Sequence, residues 1–195
     1  MRIDPTRFHL LNVADSCSIW NVLSSRLLLA RALGSGCSFC CTQFVEYECL
    51  FKRRTRPTKE DDSIKERLLA ERKKGHFKAY ALEIEDLQDV NLLQTRKSLS
   101  LGELSSIAFA KKTNQAFLTD DQKARRLAEK VLPLDRVQTV PHLFGWLLFG
   151  GVIQDGDKDQ VIREHSDLGR PLSRFFEDVY HWILQLRLAR HTSRE

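Results

Sequence analysis

FLTDDQKARRLAEK, from Phe117 to Lys130, takes the chain out of an apolar run, through two adjacent aspartates, and into an Ala/Arg/Leu-rich helical pattern. A strand that ends on acids and turns at once into a helix is the unit of an α/β fold. Two readings of the acids are open. Thr119 followed three places on by Gln122 has the form of a capping box, and acids in a first turn suit the helix dipole. Alternatively, Asp120 and Asp121 carry chemistry, and the rest of the chain has to decide between the two.

Upstream, the same unit recurs. Leu10 to Ala14 (LLNVA) is a short apolar run that ends at Asp15. From Ser16 to Leu33, Ile19, Leu23, Leu27 and Ala30 keep helical spacing, and the Gly34–Gly36 segment closes the helix. Cys37 to Cys41 (CSFCC) reads as a second buried strand, and Thr42 caps a helix with Phe44, Val45, Cys49 and Leu50 on its apolar side. Ser63 and Glu66 form a capping box for a charged helix stopping near Gly75. Phe77 to Ile84 (FKAYALEI) has the composition of a third strand, and a short helix is expected from Asp86 to Leu93. A helix from Gly102 precedes the fourth strand, Gln115 to Leu118. Arg136 to Val140 (RVQTV) supplies the last strand, and Pro141 opens a helix.

Short strands alternating with helices predict a three-layer α/β/α fold around a mostly parallel sheet. Residues 1–140 read as the α/β domain and 141–195 as a helical C-terminal extension packed on it. In that extension Leu172, Phe175, Phe176, Val179, Trp182, Ile183 and Leu186 follow an i, i+3, i+4, i+7 pattern, a stripe that faces a core or serves a partner.

At 195 residues the chain can bury a real core, and 42 % apolar with 29 % charged residues is ordinary for a globular protein. The longest apolar runs, such as Leu143 to Ile153, are too short to span a bilayer. No export signal is legible, so the cytoplasm is the expected compartment and no membrane partner is expected. The five cysteines, Cys17, Cys37, Cys40, Cys41 and Cys49, sit in apolar stretches. Cys37 and Cys40 have a zinc-like spacing without a second pair to complete four ligands, so free, buried thiols are expected. The net charge of +5 favours a polyanionic partner. It is concentrated in KRRTRPTK, Lys52 to Lys59, where five of eight residues are basic.

The acids fall in register with the strands. Asp15 follows the first strand; Glu46 and Glu48 follow the second; Glu103 opens the helix after the third; Asp120 and Asp121 follow the fourth. Ligands of open α/β sheets bind beyond the carboxyl ends of the strands. Clustered carboxylates raise one another's pKa, a cost that a hard divalent cation with a preference for oxygen relieves. The six histidines form no motif with Ser or Cys that suggests a nucleophilic triad.

NVADSCSIWNVL (Asn12 to Leu23), TQFVEYECL (Thr42 to Leu50), LSLGELSSIAFAKK (Leu99 to Lys112) and FLTDDQKARRLAE (Phe117 to Glu129) resemble, in order and spacing, the PIN-domain nucleases. The resemblance covers roughly Leu10 to Val140. It implies catalytic roles for Asp15, Glu48, Glu103 and Asp120, with Asp121 as a fifth metal ligand and Glu46 as the rival to Glu48. One departure is Ser16, where many relatives have Asn or Thr; its hydroxyl is expected to serve in substrate binding. The resemblance further implies Mg²⁺ or Mn²⁺ as cofactor and hydrolysis of RNA phosphodiester bonds. A toxin of a toxin–antitoxin pair belongs to the same expectation, with an antitoxin or inhibitor protein, or a second copy of the chain, among its partners. Lys52, Arg53, Arg54 and Arg56 are the expected phosphate contacts, while Lys123, Arg125 and Arg126 are either contacts or solvated helix residues. Two rivals stand beside this: a nuclease acting on single-stranded or structured DNA, and a non-catalytic binding module on the same fold. A receiver-type fold is excluded, because it requires an acid pair after the first strand and a lysine after the last.

Overall fold

The computed structural model describes residues 4–53, 56–83, 85–86 and 99–192. Five strands form one sheet: β1 Leu11–Ala14, β2 Ser38–Thr42, β3 Lys78–Tyr80, β4 Ala116–Leu118 and β5 Val137–Gln138. They lie in the order β3-β2-β1-β4-β5, and all four pairings are parallel. Between them run α1 Ser16–Ser24, α2 Arg26–Gly34, α3 Gln43–Leu50, α4 Lys59–Lys73, α5 Leu101–Thr113 and α6 Gln122–Val131. After β5 come α7 Val140–Phe149, α8 Lys158–Asp167 and α9 Ser173–Thr192.

The three layers follow from the two-residue period of a strand, which sends successive side chains to opposite faces. Val13 and Phe117 point into one apolar cluster with Leu104, Ile107, Ala124 and Leu127 of α5 and α6. Their neighbours Ala14 and Leu118 point into another, which holds α1, α2 and the C-terminal helices. Strands covered on both faces read as unbroken apolar runs, which made β1, β2 and β4 legible.

Four boundaries differ from expectation by more than one residue. The predicted helix over 16–33 breaks at Ser25, whose backbone is extended and whose side chain caps α2 by accepting from the Leu28 amide. Thr58 and Asp61, not Ser63 and Glu66, form the capping box of α4, so that helix begins five residues earlier. The third strand is cut to Lys78–Tyr80 because its neighbour β2 ends opposite Tyr80, at Thr42, where α3 begins. The last strand is cut to Val137–Gln138, since Leu134–Arg136 forms a 3₁₀ turn and Thr139 caps α7. The short helix expected from Asp86 to Leu93 falls almost wholly outside the described residues.

The C-terminal stripe faces the core. Leu172, Phe176, Val179 and Ile183 are buried in the same cluster as Ile19 and Leu28, and Phe144 of α7 meets Phe176 at 5.1 Å between ring centroids. Phe175 remains exposed, and with Trp182 it lines a groove of about 700 Å³ that reaches Asp120 and Arg125. No helix among the described residues is long and apolar enough to cross a membrane. All five cysteines are free; Cys37, Cys41 and Cys49 are buried, and Cys17 and Cys40 partly so.

Candidate active site

In the order β3-β2-β1-β4-β5 the connections reverse direction between β1 and β4, and a crevice opens beyond the carboxyl ends of those two strands. Asp15 follows β1 directly and Asp120 lies two residues past β4. The Asp15 amide donates to the Leu118 carbonyl at 3.2 Å, which fixes the two strand ends side by side.

Asp15 is the N-cap of α1. Its Oδ1 accepts from the Ser18 amide at 2.8 Å and from the Cys17 thiol at 3.2 Å. Its Oδ2 accepts from the Thr119 hydroxyl at 2.5 Å. Thr119 in turn accepts from the Asp121 amide at 3.1 Å. Thr119 therefore does not cap α6, as its spacing to Gln122 suggested; Asp121 does, accepting from the Lys123 and Ala124 amides. The reason is position: the helix begins at Gln122, so Asp121 occupies the N-cap and Thr119 stands two residues too early.

Asp120 is held from two sides. Asn21 of α1 donates to Oδ2 at 2.8 Å, and the Val140 amide at the start of α7 donates to Oδ1 at 2.9 Å. Arg170 Nε donates to Asn21 Oδ1 at 3.1 Å, which orients the amide toward the acid. Both donors favour ionisation, yet burial outweighs them and pushes the Asp120 carboxyl up to about 7, with the charge of Asp15 adding to the rise. Burial likewise raises Asp15, against its four hydrogen-bond donors. Glu103 is raised by burial and then by the charges of Asp121 and Asp15, against the Ser100 amide. That amide donates to Glu103 Oε2 at 2.7 Å in a reciprocal capping box.

The structure separates the two rival glutamates. Glu46 turns toward α4 and pairs with Arg72. Glu48 turns the other way: its Oε2 accepts from Ser16 Oγ at 3.1 Å and its Oε1 from the Gly102 amide at 3.3 Å. The Ser16 hydroxyl, expected to meet substrate, is thus engaged with Glu48. A Cβ added at Gly102 would stand 2.4 Å from Glu48 Oε2, so the carboxylate rests against a position that has no side chain. The Thr42 and Ser105 hydroxyls, 2.7 Å apart, set that approach. Ser105 donates to the Gly102 carbonyl, so the shared proton belongs to Thr42, and the start of α3 is tied to the start of α5.

No motif in the sequence marks Gly102, Asn21, Thr119 or Ser105 as site residues. The signal for Asn21 is a lone amide inside the apolar run SIWNVL. Gly102 is signalled by a glycine in a helix's first turn, where it has no conformational purpose. Lys52, Arg53 and Arg56 are exposed after α3, while Arg54 lies outside the described residues. Lys123 and Arg126 are exposed; Arg125 is half-buried, 4.0 Å from Glu129.

Among the described residues no three His, Cys, Asp or Glu side chains stand close enough to form a ready metal cage. The donor chemistry does fit a hard cation: the acids offer only oxygen, and burial holds three of them toward protonation. The charge of Arg125 favours the ionised Asp120 but does not offset its burial.

Residues 59–132, less than half of the chain, match the family model described as PIN domain. The match takes in Glu103, Asp120 and Asp121, while Asp15 and Glu48 lie before it. The comparisons with curated proteins and with solved structures returned no match. PIN domains are generally nucleases and typically use divalent metal ions. Over this matched segment, which contributes to the parallel five-stranded sheet and its acid-lined carboxyl edge, the chain is similar to the PIN-domain family.

Proposed function

We propose that the chain is a metal-dependent endoribonuclease. The observation that carries this reading is the placement of acids from four separate segments at one sheet edge, with burial opposing the ionisation of Asp15, Glu103 and Asp120. Stable folds seldom retain such an arrangement without a ligand, because uncompensated buried charge is costly. Asp15, Glu103 and Asp120 would hold Mg²⁺ or Mn²⁺, with Glu48 and Asp121 binding directly or through water. A bound divalent ion supplies a water of lowered pKa and neutralises charge on the scissile phosphate.

The protein's own groups have definable parts. Asn21, Thr119 and the Val140 amide hold the Asp15 and Asp120 carboxylates in place, and Ser16 and Gly102 do the same for Glu48. The exposed Lys52, Arg53 and Arg56 would neutralise phosphates of the strand. An accessible, single-stranded RNA suits an edge crevice better than a duplex does. The toxin role is a narrower claim within this reading and rests on the family resemblance alone.

The test is incubation of a mixed single-stranded RNA and DNA pool with Mn²⁺, Mg²⁺ or EDTA, beside Asp15→Asn and Glu103→Gln. RNA cleavage that needs the metal and falls at least about a hundredfold in both folded variants is expected. Cleavage of the DNA alone would transfer the reading to a DNA nuclease. Absence of both cleavage and calorimetric metal binding would leave a binding module.

A further inference from the structure

Helix α3 carries Glu48 on one side and an unexplained surface on the next. Tyr47 and Phe51 are 58 % and 66 % exposed, a large apolar area to leave in water. They stand one helical turn apart, with ring centroids 6.5 Å from each other and planes within 25°. At 100° per residue, Phe51 lies about 60° from Glu48 around the helix and Tyr47 about 100°. Phe51 therefore adjoins the side of α3 that faces Gly102, and Tyr47 stands midway between that side and the one on which Glu46 meets Arg72. Immediately beyond Phe51 the chain exposes Lys52, Arg53 and Arg56, none of which pairs with an acid among the described residues.

We propose that Tyr47 and Phe51 form a stacking platform for unpaired bases of a single-stranded nucleic acid, with Lys52, Arg53 and Arg56 holding its phosphates. Flat aromatic faces beside a cluster of cations is the combination by which proteins bind single strands without reading sequence. A protein partner would be served by the rings but would have to match the cations with acids of its own; a nucleic acid meets both with every nucleotide. The strand so held passes beside Glu48 and enters the crevice between β1 and β4. The inference rests on the nuclease reading for the direction of that path, while the platform itself concerns binding alone.

The experiment is fluorescence anisotropy of a labelled single-stranded RNA and of a matched duplex, in EDTA so that nothing is cleaved. Wild type is compared with Tyr47→Ala/Phe51→Ala, Lys52→Ala/Arg53→Ala and the ring-preserving Tyr47→Phe/Phe51→Tyr. The alanine pair at the rings should weaken single-strand binding tenfold or more without changing its salt dependence. The alanine pair at the cations should lower the salt slope by about 1.4, or 0.7 for each phosphate no longer neutralised. The ring-preserving pair should bind as wild type does. Unchanged affinity in the folded Tyr47→Ala/Phe51→Ala variant, or equal affinity for the duplex, would overturn the platform and hand this surface to a protein partner. A chain that binds in the predicted way but never cleaves would sink the nuclease reading and leave the platform standing. One that cleaves and is indifferent to the ring variants would do the reverse.

Discussion

Gly102 separates stability from function at a single atom. Because Glu48 Oε2 lies 2.4 Å from where its Cβ would be, Gly102→Ala must push the carboxylate aside. The obstacle is the far end of a flexible side chain, so folding tolerates the change, and alanine in place of a helical glycine adds up to ~1 kcal/mol. Gly102→Ala should therefore melt at or above the wild-type temperature while cleavage falls about 10- to 100-fold, the usual effect of disturbing a ligand's support. Wild-type cleavage in a folded Gly102→Ala would remove Glu48 from the site. Thr119 makes the complementary case. Its hydroxyl both donates to Asp15 Oδ2 and accepts from the Asp121 amide, so Thr119→Val strands a buried carboxylate oxygen and an amide together. A loss of about 1–3 kcal/mol in urea unfolding is expected, with Thr119→Ser close to wild type.

At the scale of elements, His165 joins the end of α1 to the start of α9. The Leu172 amide donates to its Nε2 at 3.1 Å, so Nδ1 carries the proton and faces Ser24 Oγ at 2.5 Å. A second ring proton would meet the Leu172 N–H head on. Burial, and then the charge of Arg170, lower His165 from 6.5 to about 4. Between those values the unfolded chain holds a proton that the folded chain refuses. The contribution of this group is thus complete above pH 6.5 and is lost as pH falls toward 4. His165→Gln cannot titrate, so its stability deficit relative to wild type should narrow between pH 7 and pH 4.5; chemical denaturation at the two pH values reads this directly. The same residue shows why part of the fold was not legible. Strands β1, β2 and β4 are covered on both faces and declare themselves as apolar runs, and the acids declare themselves by following strand ends. The break at Ser25 does not, because a helical apolar period runs through it. The turn there is held by residues such as His165 and Glu164, which lie 141 and 139 positions away from Ser24 and Ser25. Thr119 misled because its spacing to Gln122 is that of a cap, whereas the helix starts at Gln122 with Asp121 as its N-cap, and the Thr119 hydroxyl donates to Asp15, 104 positions distant. Short strands such as β3 and β5 take their length from their neighbours, which no local pattern encodes.

Over the whole molecule, the positive net charge and the acid crevice set opposite conditions on one chain. The surface favours an anion, and the crevice favours a cation. Asp120 lies where the two halves of the fold meet, held by Asn21 from α1 and by the Val140 amide from α7. Its carboxyl titrates near 7 in the folded chain against 3.8 for an unperturbed aspartate. Between those values the folded chain keeps a proton that the unfolded chain releases, so the group's contribution to stability diminishes as pH rises through that window. Above about 7 the folded chain must carry the buried charge in full. A divalent cation would remove that cost, and protons would compete with it below 7. Saturating Mn²⁺ should therefore raise the melting temperature more at pH 7.5 than at pH 5, by the equivalent of about 2.7 kcal/mol at a hundred times Kd, and EDTA should reverse it. Asp120→Asn should melt higher than wild type at pH 7.5 without metal, gain little from Mn²⁺, and lose the share of the pH dependence that Asp120 contributes. If Mn²⁺ shifts wild type and Asp120→Asn equally, the ion binds elsewhere and Asp120 is only the anchor of α7.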